Sequence, residues 1–293
     1  MMTSCGLLRR SRGFRVMRRG HAMFDALAEK PRFHQASGLQ AMTKVALRVL
    51  PITTAVWGGG HNACVINLAA ALSSLGLRIV VIDAGRSMVA PAIGLKAKFD
   101  LLHLLLGERT FQETMLQGES FAVLPATKGI EEFIQSGSSP DDLFGAFTRL
   151  STPFDMVLLL TAPNAIVSLV DPADEVLFVL NEDAESIKST YASLKRMSEE
   201  SGFQRFRILF NDVQDASRAN DGYARLADTA ADFLHAHLSL AGVIPRDPAL
   251  RRASAALSHV FRDRGAGAAR SAFLRVAVDI ANWQLPEFSE ASE

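Results

Sequence analysis

The sequence predicts an α/β fold: a mostly parallel sheet flanked by helices on both faces. Three observations carry that expectation. Short, nearly continuous apolar and β-branched runs recur from Arg48 onward, and segments with helical periodicity separate them. At 48% hydrophobic and 21% charged, the 293 residues can bury a full core, which excludes disorder as the overall state. Strands buried on both faces need such apolar runs, and strand–helix alternation with right-handed crossovers makes the strands parallel.

In chain order, the predicted strands are 49–56 (VLPITTAV), 78–83 (RIVVID), 121–124 (FAVL), 154–160 (FDMVLLL), 175–180 (EVLFVL), 206–211 (FRILFN) and 239–244 (SLAGVI). Helices are predicted over 62–75, 184–200, 217–237 and 267–283, and 136–140 (SGSSP) reads as a loop. The expected organisation is a basic leader over 1–32, a short helix over 33–44, the α/β domain over 45–285 and an acidic tail over 286–293.

The chain holds 31 Lys+Arg and 31 Asp+Glu, but the balance is uneven. Residues 1–20 contain Arg9, Arg10, Arg12, Arg15, Arg18 and Arg19 without an acid, leaving 25 bases against 31 acids for the remainder. An acidic body with a basic leader argues against a general nucleic-acid binder. The leader reads as a transit peptide, or as a disordered arm or sequence upstream of a later start at Met17 or Met23. Cys5 and Cys64 are too few for a disulfide framework or a zinc site, so a reducing, cytoplasmic setting is expected. No apolar run reaches the length of a membrane-spanning helix.

After the first strand come Trp57, Gly58, Gly59, Gly60, His61 and Asn62, then an apolar helix. Such a turn at a helix N-terminus can converge backbone N–H groups on a phosphate, although a glycine turn also simply reverses a chain. Within 48–85 the helix carries Asn67-Leu68-Ala69 and the second strand ends Asp83-Ala84-Gly85. This region resembles the deviant Walker A ATPases of the MinD/ParA family, whose pattern is strand, K-G-G-x-G-K-[ST], helix with N-L-A, strand, D-A-D. The resemblance implies a P-loop NTPase-like fold and places the vestigial nucleotide site at Gly58, Gly59, Gly60, His61, Asn62, Asp83, Asn211 and Pro245. Aligned on Asn67, the family's first lysine falls at Val56, its phosphate-binding lysine at His61 and its magnesium-binding Ser/Thr at Asn62. No lysine occurs between Lys44 and Lys96, so both family lysines are absent in any register.

The family's second carboxylate corresponds to Gly85, and its Walker B-type aspartate to Leu160 in Leu160-Thr161-Ala162. A unit charge at about 4 Å is worth about 4 kcal/mol at an effective dielectric near 20, so losing both lysines and the metal ligands weakens phosphate binding and disfavours phosphoryl transfer. His61 is a poor substitute, being mostly neutral at pH 7. The expectation is therefore a non-catalytic protein with no required cofactor and at most weak ATP or ADP binding. Asp83 reads either as a retained family carboxylate or as a strand-end cap. Asn211 matches the family asparagine at the adenine edge or forms a turn. Pro245 borders the base in relatives or marks a turn with Pro248.

Residues 33–42 (FHQASGLQAM) resemble the activator motif D-Q-A-x-x-L-R of the flagellar-number regulator branch (FlhG, FleN or YlxH). Gln35, Ala36 and Leu39 match, whereas His34 and Gln40 replace the acid and the arginine. The resemblance implies that these residues dock on an SRP-type flagellar GTPase (FlhF-like), and that the protein regulates flagellar number or placement by protein binding, with a homodimer as a further state. Segments 95–110, 124–131 and 247–252 add to the likeness. The alternatives are an active ATP-dependent switch that dimerises on ATP, and a scaffold unrelated to flagella.

His235 and His237 diverge on a helix and, with His259, read as surface residues rather than metal ligands. In 267–283, Phe273, Val276, Ala277, Ile280 and Trp283 fall at helical spacing. Relatives end in a membrane-attaching helix, but the acidic tail would be repelled by anionic lipid, so packing against the sheet is expected, with peripheral attachment at the inner membrane as the secondary reading.

Overall fold

A computed structural model of the protein describes residues 47–58, 60–86, 88–148, 154–262, 265, 267–285 and 287–288. In chain order its elements are β1 (Leu47–Thr53), α1 (His61–Ser74), β2 (Ile79–Asp83), α2 (Val89–Ala92), α3 (Leu101–Leu105), α4 (Phe111–Thr114), β3 (Leu116–Gln117), β4 (Ala122–Pro125), α5 (Thr127–Ser136), α6 (Pro140–Thr148) and β5 (Met156–Leu160). Then follow α7 (Pro163–Leu169), β6 (Val176–Leu180), α8 (Ala184–Ser201), β7 (Arg205–Val213), α9 (Ala216–Leu234), β8 (His237–Pro245), α10 (Pro248–Ala255), α11 (Ala268–Ala281) and β9 (Glu287–Phe288).

The strands form one sheet in the order β3-β4-β2-β5-β1-β6-β7-β8, with β9 added against β1. All described pairings are parallel except β3 with β4 and β9 with β1. The apolar runs divide by alternation. In β5, Leu158 and Leu160 face the core beneath α1 and α11, while Val157 and Leu159 face the layer containing α3, α5 and α6. In β6 and β7, Phe178, Ile208 and Phe210 face α8 and α9. Each strand thus serves two cores, the reason these segments lack a polar face.

The sequence places the seven expected strands and the four expected helices of the domain within a few residues but does not anticipate α5, α6 and α10, and two boundaries differ for local reasons. The first strand ends at Thr53 rather than at 56. The Thr54 hydroxyl donates to the Val56 carbonyl (3.0 Å) and accepts from the Val56 N–H (3.3 Å), turning the chain out of the sheet. The helix expected to reach 237 stops at Leu234, because His235 adopts a left-handed φ of 51° and caps it. His237 then opens β8, so the two histidines do not share a helix.

α11 lies against α1 and β8 with Ala269, Phe273, Val276, Ala277 and Ile280 buried. Its C-terminus is gripped by Arg48, whose guanidinium donates to the carbonyls of Ile280 (3.0 Å), Ala281 (3.0 Å) and Trp283 (2.8 Å). At its other end Asp247 caps two helices, accepting from Ala249 N–H in α10 (2.8 Å) and from Ala269 N–H in α11 (3.1 Å). Among the described residues, no helix is long and apolar enough to cross a membrane.

Candidate functional site

The loop between β1 and α1 stands at the C-terminal ends of the strands, where open α/β sheets bind ligands. Gly58 (φ 110°) and Gly60 (φ 81°) occupy conformations that side chains rarely adopt. Gly60 is the N-cap of α1, without a side-chain cap and with no acid in the first turn, so the helix dipole is unneutralised there. Gly59 lies outside the described residues, as do the proposed partner residues Gln35, Ala36 and Leu39.

His61 begins the helix and is only 5% exposed. Its Nδ1 accepts from the Gly58 N–H at 3.4 Å, while Nε2 is buried with no hydrogen-bond partner among the described residues. Burial, reinforced by the charge of Arg86, pushes the imidazole down to about 4. The ring is therefore neutral at pH 7 and supplies no cation to the loop. The Asn62 Oδ1 is also buried without a partner among the described residues.

Trp57 shapes this end of the sheet. Its ring meets His61 edge-on, with centroids 4.6 Å apart at 89°, and Arg86 lies over it at 5.7 Å from the centroid. It also packs on Gly85: a Cβ built there would lie 2.2 Å from Cη2 and 2.6 Å from Cζ3 of the indole. Because β5 separates β1 from β2 in the sheet, a contact between the segments following β1 and β2 spans about 10 Å, two strand spacings. Trp57 thus reaches across the end of β5, where Leu160 and Thr161 are both buried. Thr161 is fixed in turn, its carbonyl accepting from the Thr53 hydroxyl at 2.8 Å.

Asp83 is buried at the end of β2, and its Oδ2 accepts from the Val89 N–H at 2.8 Å, tying β2 to the start of α2. That bond fits the strand-end capping reading. Asn211 is buried in β7, and its Nδ2 donates to the Gly60 carbonyl at 3.4 Å. It thus touches the glycine loop directly. Pro245 pairs opposite Val213 at the end of β8, three strands from β1, beside the Arg246–Asp212 ion pair (3.0 Å).

The structure therefore brings Gly58, Gly60, His61, Asn62 and Asn211 together, with Asp83 at the end of β2 and Pro245 at the end of β8. Sequence reasoning missed Trp57 and Arg86. An aromatic residue preceding the glycines, beside a glycine in the carboxylate position, was the available signal.

Asn67, of the Asn67-Leu68-Ala69 run, is also structural. Its Nδ2 donates to Ala63 O (2.7 Å) and its Oδ1 accepts from Val260 N–H (2.9 Å). His259, expected at the surface, is 7% exposed, because this tether draws its segment onto α1.

Residues 63–260 match the family model of the CobQ/CobB/MinD/ParA nucleotide binding domain. The chain is 30% identical over 247 residues to the antiactivator FleN of Pseudomonas aeruginosa, covering 82% of this chain and 88% of that protein. It is 25% identical over 214 residues to the flagellum site-determining protein YlxH of Helicobacter pylori, covering 70% and 72% respectively. Among solved structures, the MinD cell division protein of Aquifex aeolicus shares the fold with a TM-score of 0.61 and 21% identity, covering 82% of this chain and 98% of that one. MinD of Pyrococcus horikoshii, solved with Mg-ADP, gives 0.57 at 16% identity, covering 80% and 96%. The chain belongs to the CobQ/CobB/MinD/ParA nucleotide-binding domain family.

Proposed function

We propose that this protein is a flagellar regulator of the FleN and YlxH kind that acts by binding protein partners rather than by turning over ATP. The observation that carries this reading is Trp57 lying on Gly85 across the end of β5. Family resemblance puts the second carboxylate at Gly85 and the metal-side aspartate at Leu160. An indole and a buried leucine take those places, and no lysine stands between 44 and 96. The residues present do not fit a magnesium nucleotide poised for hydrolysis, which depends on cations around the phosphates.

The likeness to FleN and YlxH supports the regulatory role. The partner in this reading is an SRP-type flagellar GTPase, docked through Gln35, Ala36 and Leu39, and the setting is the cytoplasm with contact at the inner membrane secondary. The buried apolar face of α11 supports packing over membrane insertion.

Titration calorimetry with ATP and Mg²⁺, paired with a phosphate-release assay, tests the non-catalytic half. Weak or absent binding without turnover is expected; micromolar binding with turnover would overturn it. Co-purification with the GTPase, lost in a Gln35→Ala/Leu39→Ala variant, tests the partner half.

One observation favours the rival reading of an ATP-responsive switch: the left-handed glycines and uncapped N-terminus of α1 persist. Nucleotide-dependent dimerisation, abolished by Gly60→Val, would establish that rival.

A further inference from the structure

Between the start of α6 and the end of α7 lies an open cavity of about 270 Å³ lined by the apolar side chains of Pro140, Phe144, Val167 and Val170. Asp141, Asp171 and Asp174 also line it, and no Lys or Arg does. Among the described residues, none of these three carboxylates forms an ion pair. Burial and the charge of Asp171 hold the Asp174 carboxyl above its ordinary value, with Arg205 nearby offsetting part of the rise. The groove is thus apolar inside and negative at its edge, and the complement it lacks is a cation on an apolar segment.

The sequence holds such a segment. Val49 lines the cavity two residues into β1 from Leu47, so the chain that precedes Leu47 enters the domain beside the groove. That preceding chain contains Arg12-Gly13-Phe14-Arg15-Val16-Met17-Arg18-Arg19, in which arginines and large apolar residues interleave without an acid.

We propose that residues 12–19 dock in cis in this groove, with arginines on Asp141, Asp171 and Asp174 and the interleaved apolar side chains against Phe144, Val167 and Val170. A guanidinium matches a carboxylate with two parallel donors. The cavity is smaller than pockets for drug-sized ligands and suits one or two side chains. Exposed ion pairs contribute little individually, so the covalent tether decides the outcome. At an effective concentration of about 1 mM, a segment that binds in trans at about 0.3 mM is docked about three-quarters of the time. Docking holds residues 20–46, with Gln35, Ala36 and Leu39 among them, between two anchors on the domain. That consequence for partner access rests on the function proposed above; the docking itself does not.

The test is limited trypsin digestion of the full chain, read by intact mass. Cleavage after Arg12, Arg15, Arg18 and Arg19 should be about fourfold slower in the native chain than in Asp171→Asn/Asp174→Asn. Raising salt from about 0.05 M to about 0.5 M should remove most of that protection. Hydrogen exchange gives the reciprocal reading through a change outside the domain: Arg15→Gln/Arg18→Gln/Arg19→Gln should speed exchange over 165–175. The proposal is overturned if the native chain and the aspartate variant are cut alike, or if the arginine variant leaves exchange over 165–175 unchanged. Protection that grows with protein concentration would overturn it too, by assigning the groove to the segment of a second copy.

Discussion

The indole of Trp57 occupies the space that any side chain at position 85 would need: a Cβ on Gly85 would approach its Cη2 to 2.2 Å. Trp57 can lie across the end of β5 only while position 85 is glycine. The two positions therefore form one packing unit, although β5 runs between the strands that precede them.

Gly85→Ala should cost about 1–3 kcal/mol by overpacking against the ring. In a Trp57→Ala background the same change should be close to neutral. Urea unfolding of the four proteins of the double-mutant cycle measures the coupling. Additive effects would show that the indole does not fill the space above Gly85.

Acid should weaken the fold through His61. Folded, its imidazole takes a proton only near 4, whereas the unfolded chain takes it near the ordinary value of 6.5. Between those limits the unfolded state binds the extra proton, so the stabilisation is complete above about 6.5 and declines as pH falls toward 4. The loss is at most about 1.4 kcal/mol per pH unit. Unfolding free energies at pH 7, 6 and 5 for the native chain and His61→Gln isolate the term, since the variant should fall less steeply.

Asp247 joins two helix starts through one carboxylate. Asp247→Ala should destabilise by about 2 kcal/mol, roughly one for each lost cap. Asp247→Asn should lose less, because the amide keeps a single acceptor oxygen for α10 or α11. Chemical denaturation of the three proteins gives the ranking, and equal losses in both variants would contradict the double cap.

Arg48 holds the C-terminus of α11 from β1. Replacing it with Met should cost about 2 kcal/mol, the scale of charge-assisted hydrogen bonds to buried carbonyls at a helix end. The loss should be local first. Amide exchange should accelerate over 276–283 before it changes in α1, and uniform acceleration would mean that Arg48 supports the sheet instead.

The sheet was legible because its strands declare themselves. Met156–Leu160 carries five apolar residues in succession, as a strand covered on both sides must. The helices between β2 and β6 escaped: four of them have only four to seven residues and show no period, and α5 and α6, of ten and nine residues, span too few turns to stand out from the loops around them. One had a readable signature all the same: Thr110 and Glu113 form a capping box at the start of α4. In the site, the glycines and His61 could be placed from their neighbours in sequence. Trp57 on Gly85, Asn211 on Gly60 and Asn67 on Val260 could not, because each contact joins segments far apart in the chain. His259 was misread for the same reason, its burial depending on a hydrogen bond across 193 residues.

β9 runs antiparallel along the first residues of β1, with Leu47 opposite Phe288. The first and last described strands therefore meet at one point, so a chain linked from 288 to 47 and opened at a loop elsewhere would be a circular permutant with the sheet order unchanged. That point is also the foot of β1, whereas the glycine loop crowns its head, about 20 Å away for a strand of this length. A substitution in the β1–β9 pairing can therefore be made without touching the contacts that hold the loop, the bonds from Gly58 to His61 and from Asn211 to Gly60.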